Sequence, residues 1–101
     1  MKLVIITTIE EFAKEVKQIL KNAQVTSYSY KEVIGYKNSS EEPLESNWFG
    51  VEMDENESIL FYAFVPKDNV DKVYESVNEF NAKQETESYI HIAVLNIEKS
   101  N

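Results

Sequence analysis

The sequence predicts an α+β domain in which a four-stranded antiparallel sheet carries two helices on one face. Three predicted strands, residues 3–6, 59–65 and 90–95, hold large apolar side chains at odd and even positions alike. Side chains alternate between the two faces of a strand, so such runs indicate a sheet buried on both faces. Only two segments show helical periodicity, and two helices cover one face of a small sheet. We therefore expect another copy of the chain to cover the second face.

The first part of the chain predicts a strand followed by a helix. The strand covers residues 2–7. Thr8 and Glu11 then have the spacing of a capping box, in which the two side chains bond backbone N–H groups at a helix start. The apolar residues that follow have helical spacing, and we expect the helix to end near Asn22, which tolerates helix-terminating geometry. These apolar residues are Phe12, Val16, Ile19, Leu20 and Ala23.

The middle of the chain predicts two strands joined by a long polar segment. The second strand covers residues 25–36, and its Tyr28 and Tyr30 share a face that we expect to meet a neighbouring subunit. Residues 37–47 have the polar, proline-containing composition of a mobile loop. A strand pattern resumes at Trp48, the polar residues 54–57 interrupt it as a turn or a bulge, and it ends at residue 65.

The last part of the chain completes the fold. Pro66 ends the third strand, Asp68 is the expected cap of the second helix, and residues 89–97 form the last strand. The order strand, helix, strand, strand, helix, strand, with right-handed crossovers, is that of the ferredoxin-like βαββαβ sandwich. This fold hosts many functions and does not name one. The apolar stripe of the second helix consists of Val70, Val73, Tyr74, Val77 and Phe80.

Composition narrows the classes of function. The chain has 101 residues, the size of a single domain, and a net charge of −8. A nucleic-acid surface needs a cationic footprint, so the charge favours a soluble acidic protein or a surface that binds cations. Cysteine is absent, which excludes disulfides, thiolate zinc sites and a cysteine nucleophile. The first apolar run is too short for a signal peptide, and no segment is long enough to span a membrane, so we expect a cytoplasmic protein.

Three stretches of sequence together carry a family resemblance. The first consists of Val16, Lys17, Leu20, Val25, Thr26, Glu32, Val33 and Gly35. The second runs from Val65 and Pro66 through Val70, Lys72, Val73 and Glu75 to Val77. The third is the closing strand, residues 95–98, which has Asn96 where proline is usual in the family. In order and joint spacing they resemble nitrogen regulatory PII signalling proteins over nearly the whole chain.

The resemblance implies a homotrimeric regulator whose sheets line the interior of the trimer. In that family nucleotides bind in clefts between subunits, and the corresponding ligand positions here are Ser29, Gly35, Tyr36 and Lys37. A long loop after the second strand docks on a protein target, such as a transporter or an enzyme, without direct insertion into the membrane. The residues implied for that contact are Glu41, Glu42, Leu44, Glu45 and Trp48.

The sequence departs from the family where phosphates would bind. Residues 37–40 replace the usual glycine, arginine, glutamine and lysine with Lys-Asn-Ser-Ser. The connection before the last strand is usually glycine-rich, whereas residues 84–88 here contain no glycine and hold Glu85 and Glu87. Two carboxylates repel a triphosphate. The sequence therefore predicts that nucleotide binding is divergent or lost.

The sequence leaves two possible roles for His91 and two for Trp48. His91 is the only histidine, and on an apolar strand it is more often a packed residue than a ligand. The alternative is a divalent-metal-binding or metal-tolerance protein that resembles the CutA group, with His91 and Glu87 as ligands. Trp48 either packs under the loop or anchors a target. We find no nucleophile–base pair and expect no enzymatic activity; a small effector would be a nucleotide or a divalent metal.

Overall fold

The computed structural model describes residues 1–36 and 55–101, and it confirms the predicted order of elements. A short 3-10 turn, Glu10–Phe12, precedes the first helix. The strands are β1 (Lys2–Thr8), β2 (Ser29–Tyr36), β3 (Glu55–Val65) and β4 (His91–Asn96), and the helices are α1 (Ala13–Asn22) and α2 (Lys67–Lys83).

The sheet has the strand order β2-β3-β1-β4, and every neighbouring pair is antiparallel. Both connections that contain a helix therefore skip one strand, which is the ferredoxin-like arrangement. The predicted fold class is confirmed. In the described part of the chain, no helix is both long and apolar enough to cross a bilayer.

The hydrophobic core lies between the helices and one face of the sheet. Val4 and Ile6 of β1 are each 1% exposed and lie opposite Ala63 and Phe61 of β3. The rings of Phe12 and Phe80 meet edge to face, with 4.9 Å between their centroids, and this contact joins the two helical segments. The helices contribute the buried residues Val16, Ile19, Leu20, Val70, Val73 and Val77.

Neither predicted helix cap is present, so both predictions are wrong. Thr8 is the last residue of β1, and its buried hydroxyl has no hydrogen-bond partner among the described residues. The chain then enters α1 through the 3-10 turn rather than through a capping box. Asp68 lies inside the first turn of α2, and no side chain caps that helix. Pro66 precedes it with φ −57°, which already suits helix entry, and its carbonyl accepts the N–H of Asn69 at 2.9 Å.

The second strand begins at Ser29 rather than at Val25, because Val25 forms part of the C-terminal cap of α1. Gln24 adopts a left-handed conformation with φ 64°, and the N–H of Val25 then bonds the carbonyl of Leu20 at 2.9 Å. Such a bond closes the helix in the manner of a Schellman motif. Val25 is 6% exposed and belongs to the core, so the chain reaches the sheet edge only after this contact.

The third strand is continuous from Glu55, so the predicted interruption at residues 54–57 is wrong for residues 55–57, and residue 54 lies outside the described residues. Residues 55–57 pair with residues 34–36 of β2. β1 ends at Thr8, which pairs with Ile59 of β3. Toward Glu55, β3 pairs only with β2, so these two strands extend beyond β1 as a two-stranded ribbon. The earlier part of the predicted third strand, residues 48–53, lies outside the described residues.

The last strand begins at His91 rather than at Tyr89, because the side chain of Asn81 binds the backbone of Ile90. Asn81 Nδ2 donates to the Ile90 carbonyl at 2.8 Å, and Asn81 Oδ1 accepts the Ile90 N–H at 2.9 Å. Both backbone groups of Ile90 are thereby satisfied by α2 instead of by a neighbouring strand. This pair of bonds fixes the start of β4 against the helix layer.

Candidate functional site

The face of the sheet opposite the helices is apolar and remains exposed in the single chain. Tyr62, Phe64 and Leu95 are 41%, 53% and 42% exposed. A contiguous apolar surface of this kind marks an interaction site in a soluble protein. The expectation that the helices cover only one face is confirmed. This open sheet face consists of Leu3, Ile5, Leu60, Tyr62, Phe64, Ala93 and Leu95.

Tyr28 and Tyr30 lie on the helix side, so their predicted place in a contact between subunits is wrong. The Tyr30 ring stacks on Phe61, with 5.2 Å between centroids, and the Tyr28 ring lies 5.9 Å from the same residue. Phe61 is buried on the helix side of β3. Because side chains alternate along β2, Ser29 and Lys31 take the open side instead.

One chain does not bring the predicted ligand residues together. Ser29 stands at the start of β2, whereas Gly35 and Tyr36 stand at its end, on the projecting ribbon. Strands rise about 3.3 Å per residue, so the six residues from Ser29 to Gly35 span about 20 Å. Gly35 is buried and Tyr36 is 66% exposed. Lys37 lies outside the described residues, as do the predicted partner-binding residues Glu41, Glu42, Leu44, Glu45 and Trp48.

The connection before β4 is closed by bonds within itself. The Gln84 side-chain amide donates to the carbonyls of Thr86 and Ser88, at 3.1 and 2.8 Å. Glu85 and Glu87 of this connection are exposed to solvent. The turn therefore presents carboxylates to solvent and is held together by its own side chains, whereas a phosphate cradle presents free backbone N–H groups.

His91 lies at the first position of β4, half-buried, opposite Thr7 of β1. Burial lowers the pKa of His91 below its ordinary value, which favours the neutral imidazole. A neutral imidazole is the form that ligates metals, but Glu87, its predicted companion, lies exposed on the preceding turn. Among the described residues no group of three or more His, Asp or Glu side chains is placed to hold a metal ion.

A depression beside His91 was not foreseen from the sequence. It has a volume of about 500 Å³ and lies between α2 and the start of β4. Tyr74 was expected in the apolar stripe of α2, but it is 45% exposed and lines this depression with Asn78 and Tyr89. Its lining combines hydrogen-bonding groups with apolar surface.

A second unforeseen groove lies on the outer side of α1. It has a volume of about 590 Å³, and we call it the lysine groove. The sequence signal for it is the spacing of three lysines along the polar side of α1, which lies outside the apolar stripe of that helix. The groove is lined by Lys14, Lys17, Gln18, Lys21, Val25, Thr26 and Tyr28.

Comparison with known proteins supports the fold. The chain matches no protein-family model, and no curated protein matches it in sequence. Among solved structures it is similar to CPII, a nitrogen regulatory PII-like protein from Thiomonas intermedia K12, whose structure holds ADP, AMP and bicarbonate. The identity is 16%, the TM-score is 0.63, and the match covers 99% of this chain and 94% of that one. The chain therefore has a PII-like fold.

Proposed function

We propose that this protein is a PII-like regulator without enzymatic activity. In this proposal it forms a homotrimer through the open sheet face and binds a protein target through residues 37–47. Its nucleotide binding is divergent or lost. The observation that carries the proposal is an uncovered apolar sheet face on a PII-like fold.

The open sheet face supports self-association rather than a free monomer. Leu3 lies between Phe64 and Leu95 in one row across three strands, and Ile5 lies between Tyr62 and Ala93 in the next. Monomeric proteins rarely expose apolar patches beyond roughly 300–600 Å². A second copy offers the same apolar chemistry, and burial of the face contributes about 25 cal/mol for each Å² removed from water.

The positions of the ligand residues also favour an assembly. Ser29 lies about 20 Å from Gly35 along β2, which is too far for one small ligand to touch both. A ligand that uses both ends of β2 therefore needs two subunits. The internally bonded turn at residues 84–88, with Glu85 and Glu87 exposed, argues that such a ligand is not an ordinary nucleoside triphosphate.

The test separates assembly from target binding. Deletion of residues 38–46 removes most of the predicted docking loop and leaves the open sheet face unchanged. We expect the deletion variant to sediment as a trimer with nearly the melting temperature of the wild type. Quantitative affinity capture from the source cells should then recover a target with the wild type and lose it with the deletion variant.

Three results would contradict the proposal. A stable wild-type monomer at micromolar concentration would remove the role given to the open sheet face. A deletion variant that still captures the same target at the same level would show that residues 37–47 do not make the contact. If the deletion variant instead fails to form a trimer, residues 38–46 are needed for assembly, and the predicted docking role of the loop is wrong.

A further inference from the structure

The lysine groove concentrates positive charge on a protein that is strongly acidic. The chain has 10 Lys and Arg residues against 18 Asp and Glu residues, and three of the lysines line this one groove. Lys14, Lys17 and Lys21 are separated by three and then four residues, so they share one side of α1. With a rise of 1.5 Å per residue, they span about 10 Å along the helix.

In the described part of the chain, the ammonium groups of this groove make no direct contact with a carboxylate. Within residues 1–36 and 55–101, none of the three ammonium groups forms an ion pair. Like charges at this helical spacing repel each other and destabilise the helix. A bound anion would relieve that repulsion, which gives the groove a reason to select negatively charged ligands.

Lys17 is held in place by the core. Its Nζ lies 4.4 Å from the centroid of the Tyr30 ring and donates to the Tyr30 hydroxyl at 3.3 Å. Tyr30 in turn stacks on the buried ring of Phe61. Lys17 is half-buried, whereas Lys14 and Lys21 are exposed. A cation that is already positioned loses less side-chain freedom when a ligand binds.

We propose that the lysine groove binds a small anion that carries two or more linked phosphates. Ammonium groups bind phosphate as point charges, and three of them over about 10 Å fit a row of phosphates better than a single carboxylate. The groove volume of about 590 Å³ lies within the range of small-molecule sites. Val25 and Tyr28 add an apolar wall, and the Thr26 hydroxyl adds a polar group. The site lies on the helix side, so it is separate from the open sheet face.

The probe for this site is inorganic triphosphate, without magnesium. Calorimetry should detect binding to the wild type, and NMR should show shifted backbone amides in α1 and at residues 25–28. The double variant Lys14→Gln/Lys21→Gln should lose at least about tenfold in affinity, which corresponds to about 1.4 kcal/mol. Lys14→Arg/Lys21→Arg keeps both charges and should keep binding within about threefold.

A matched control separates a site from general charge. Lys67→Gln/Lys72→Gln makes the same change in net charge at exposed positions of α2. Its affinity for triphosphate should stay within about twofold of the wild type. Equal losses in the two glutamine variants, or no binding at millimolar triphosphate, would overturn the proposal. Tighter binding of hexaglutamate than of triphosphate in the same groove would assign it to an acidic peptide and would also overturn it.

Discussion

Gln84 folds its side chain back over the turn that it begins, and its Oε1 accepts the backbone N–H of Thr86 at 2.7 Å. The same oxygen accepts the Thr86 hydroxyl at 2.5 Å, while that hydroxyl accepts the N–H of Ser88 at 3.3 Å. Amides that hold a phosphate must point outward and be available. Two amides of this turn are already satisfied within it, so the connection before β4 is a poor phosphate site.

We predict that ATP with magnesium binds weakly or not at all between the subunits. The reason is the loss of those two amides together with the repulsion from the exposed Glu85 and Glu87. Calorimetry measures the affinity directly. Submicromolar binding that survives in Lys14→Gln/Lys21→Gln would contradict this prediction, because it would place the nucleotide outside the lysine groove.

Phe64→Glu should convert the assembly into monomers. Phe64 is 53% exposed in the single chain and lies beside Leu3 on the open sheet face. A carboxylate buried there without a partner costs several kcal/mol for each subunit, which exceeds what a modest interface supplies. Sedimentation velocity at micromolar concentration reports the change in mass, and circular dichroism verifies that the monomer remains folded.

The matched control is Tyr74→Glu. Tyr74 is 45% exposed, a similar fraction, but it lies on α2 on the other side of the sheet. This variant should keep the mass of the wild type. If Tyr74→Glu dissociates the assembly and Phe64→Glu does not, the subunits meet through the helix layer and the role given to the open sheet face is wrong.

The fold followed from the sequence because its main signals are periodic. Apolar residues at both parities in β3 predict two buried faces, and the spacing of Val70, Val73 and Val77 predicts a helix. The exact ends of the helices and strands could not be predicted from the sequence, because tertiary contacts determine them. The N–H of Val25 closes α1, and the side chain of Asn81 holds Ile90, and neither contact leaves a local pattern in the sequence.

The sequence predicts the candidate sites less well than it predicts the fold. The sequence predicts the wrong face for Tyr28 and Tyr30, because alternation alone gives two faces and does not say which one the helices cover. The absence of glycine at residues 84–88 did predict a changed turn, since glycine is a visible requirement of a phosphate cradle. The lysine groove depends on how α1 packs beside residues 25–28, and its lysine spacing alone resembles any solvated helix face.

Thr8→Val should stabilise the protein by about 1 kcal/mol, because it removes a buried hydroxyl that lacks a partner among the described residues. Valine has nearly the same shape and suits a strand. Thermal and urea unfolding measure the change. Thr7→Val is the matched control, since Thr7 is equally buried at 3% exposed but is not without an interaction partner. Stabilisation by the Thr7 variant and not by the Thr8 variant would contradict the assignment.

Stability should fall as the pH decreases below about 6.5, because of His91. Burial lowers the pKa of His91 in the folded protein, whereas the unfolded chain titrates near 6.5. Between those two values the unfolded state binds more protons, so protonation favours unfolding and stability rises with pH. One such group contributes a slope of at most about 1.4 kcal/mol per pH unit.

His91→Gln tests this assignment, because His91 is the only histidine and carboxylates titrate mainly near pH 4. The free energy of unfolding of the wild type, measured between pH 7 and 5.5, should decline, and that of the glutamine variant should change much less. If the stability of the wild type stays flat or rises toward pH 5.5, the folded state binds the proton of the imidazole at least as readily as the unfolded state does, and the prediction is wrong. A decline of equal size in both proteins would assign the slope to carboxylates instead.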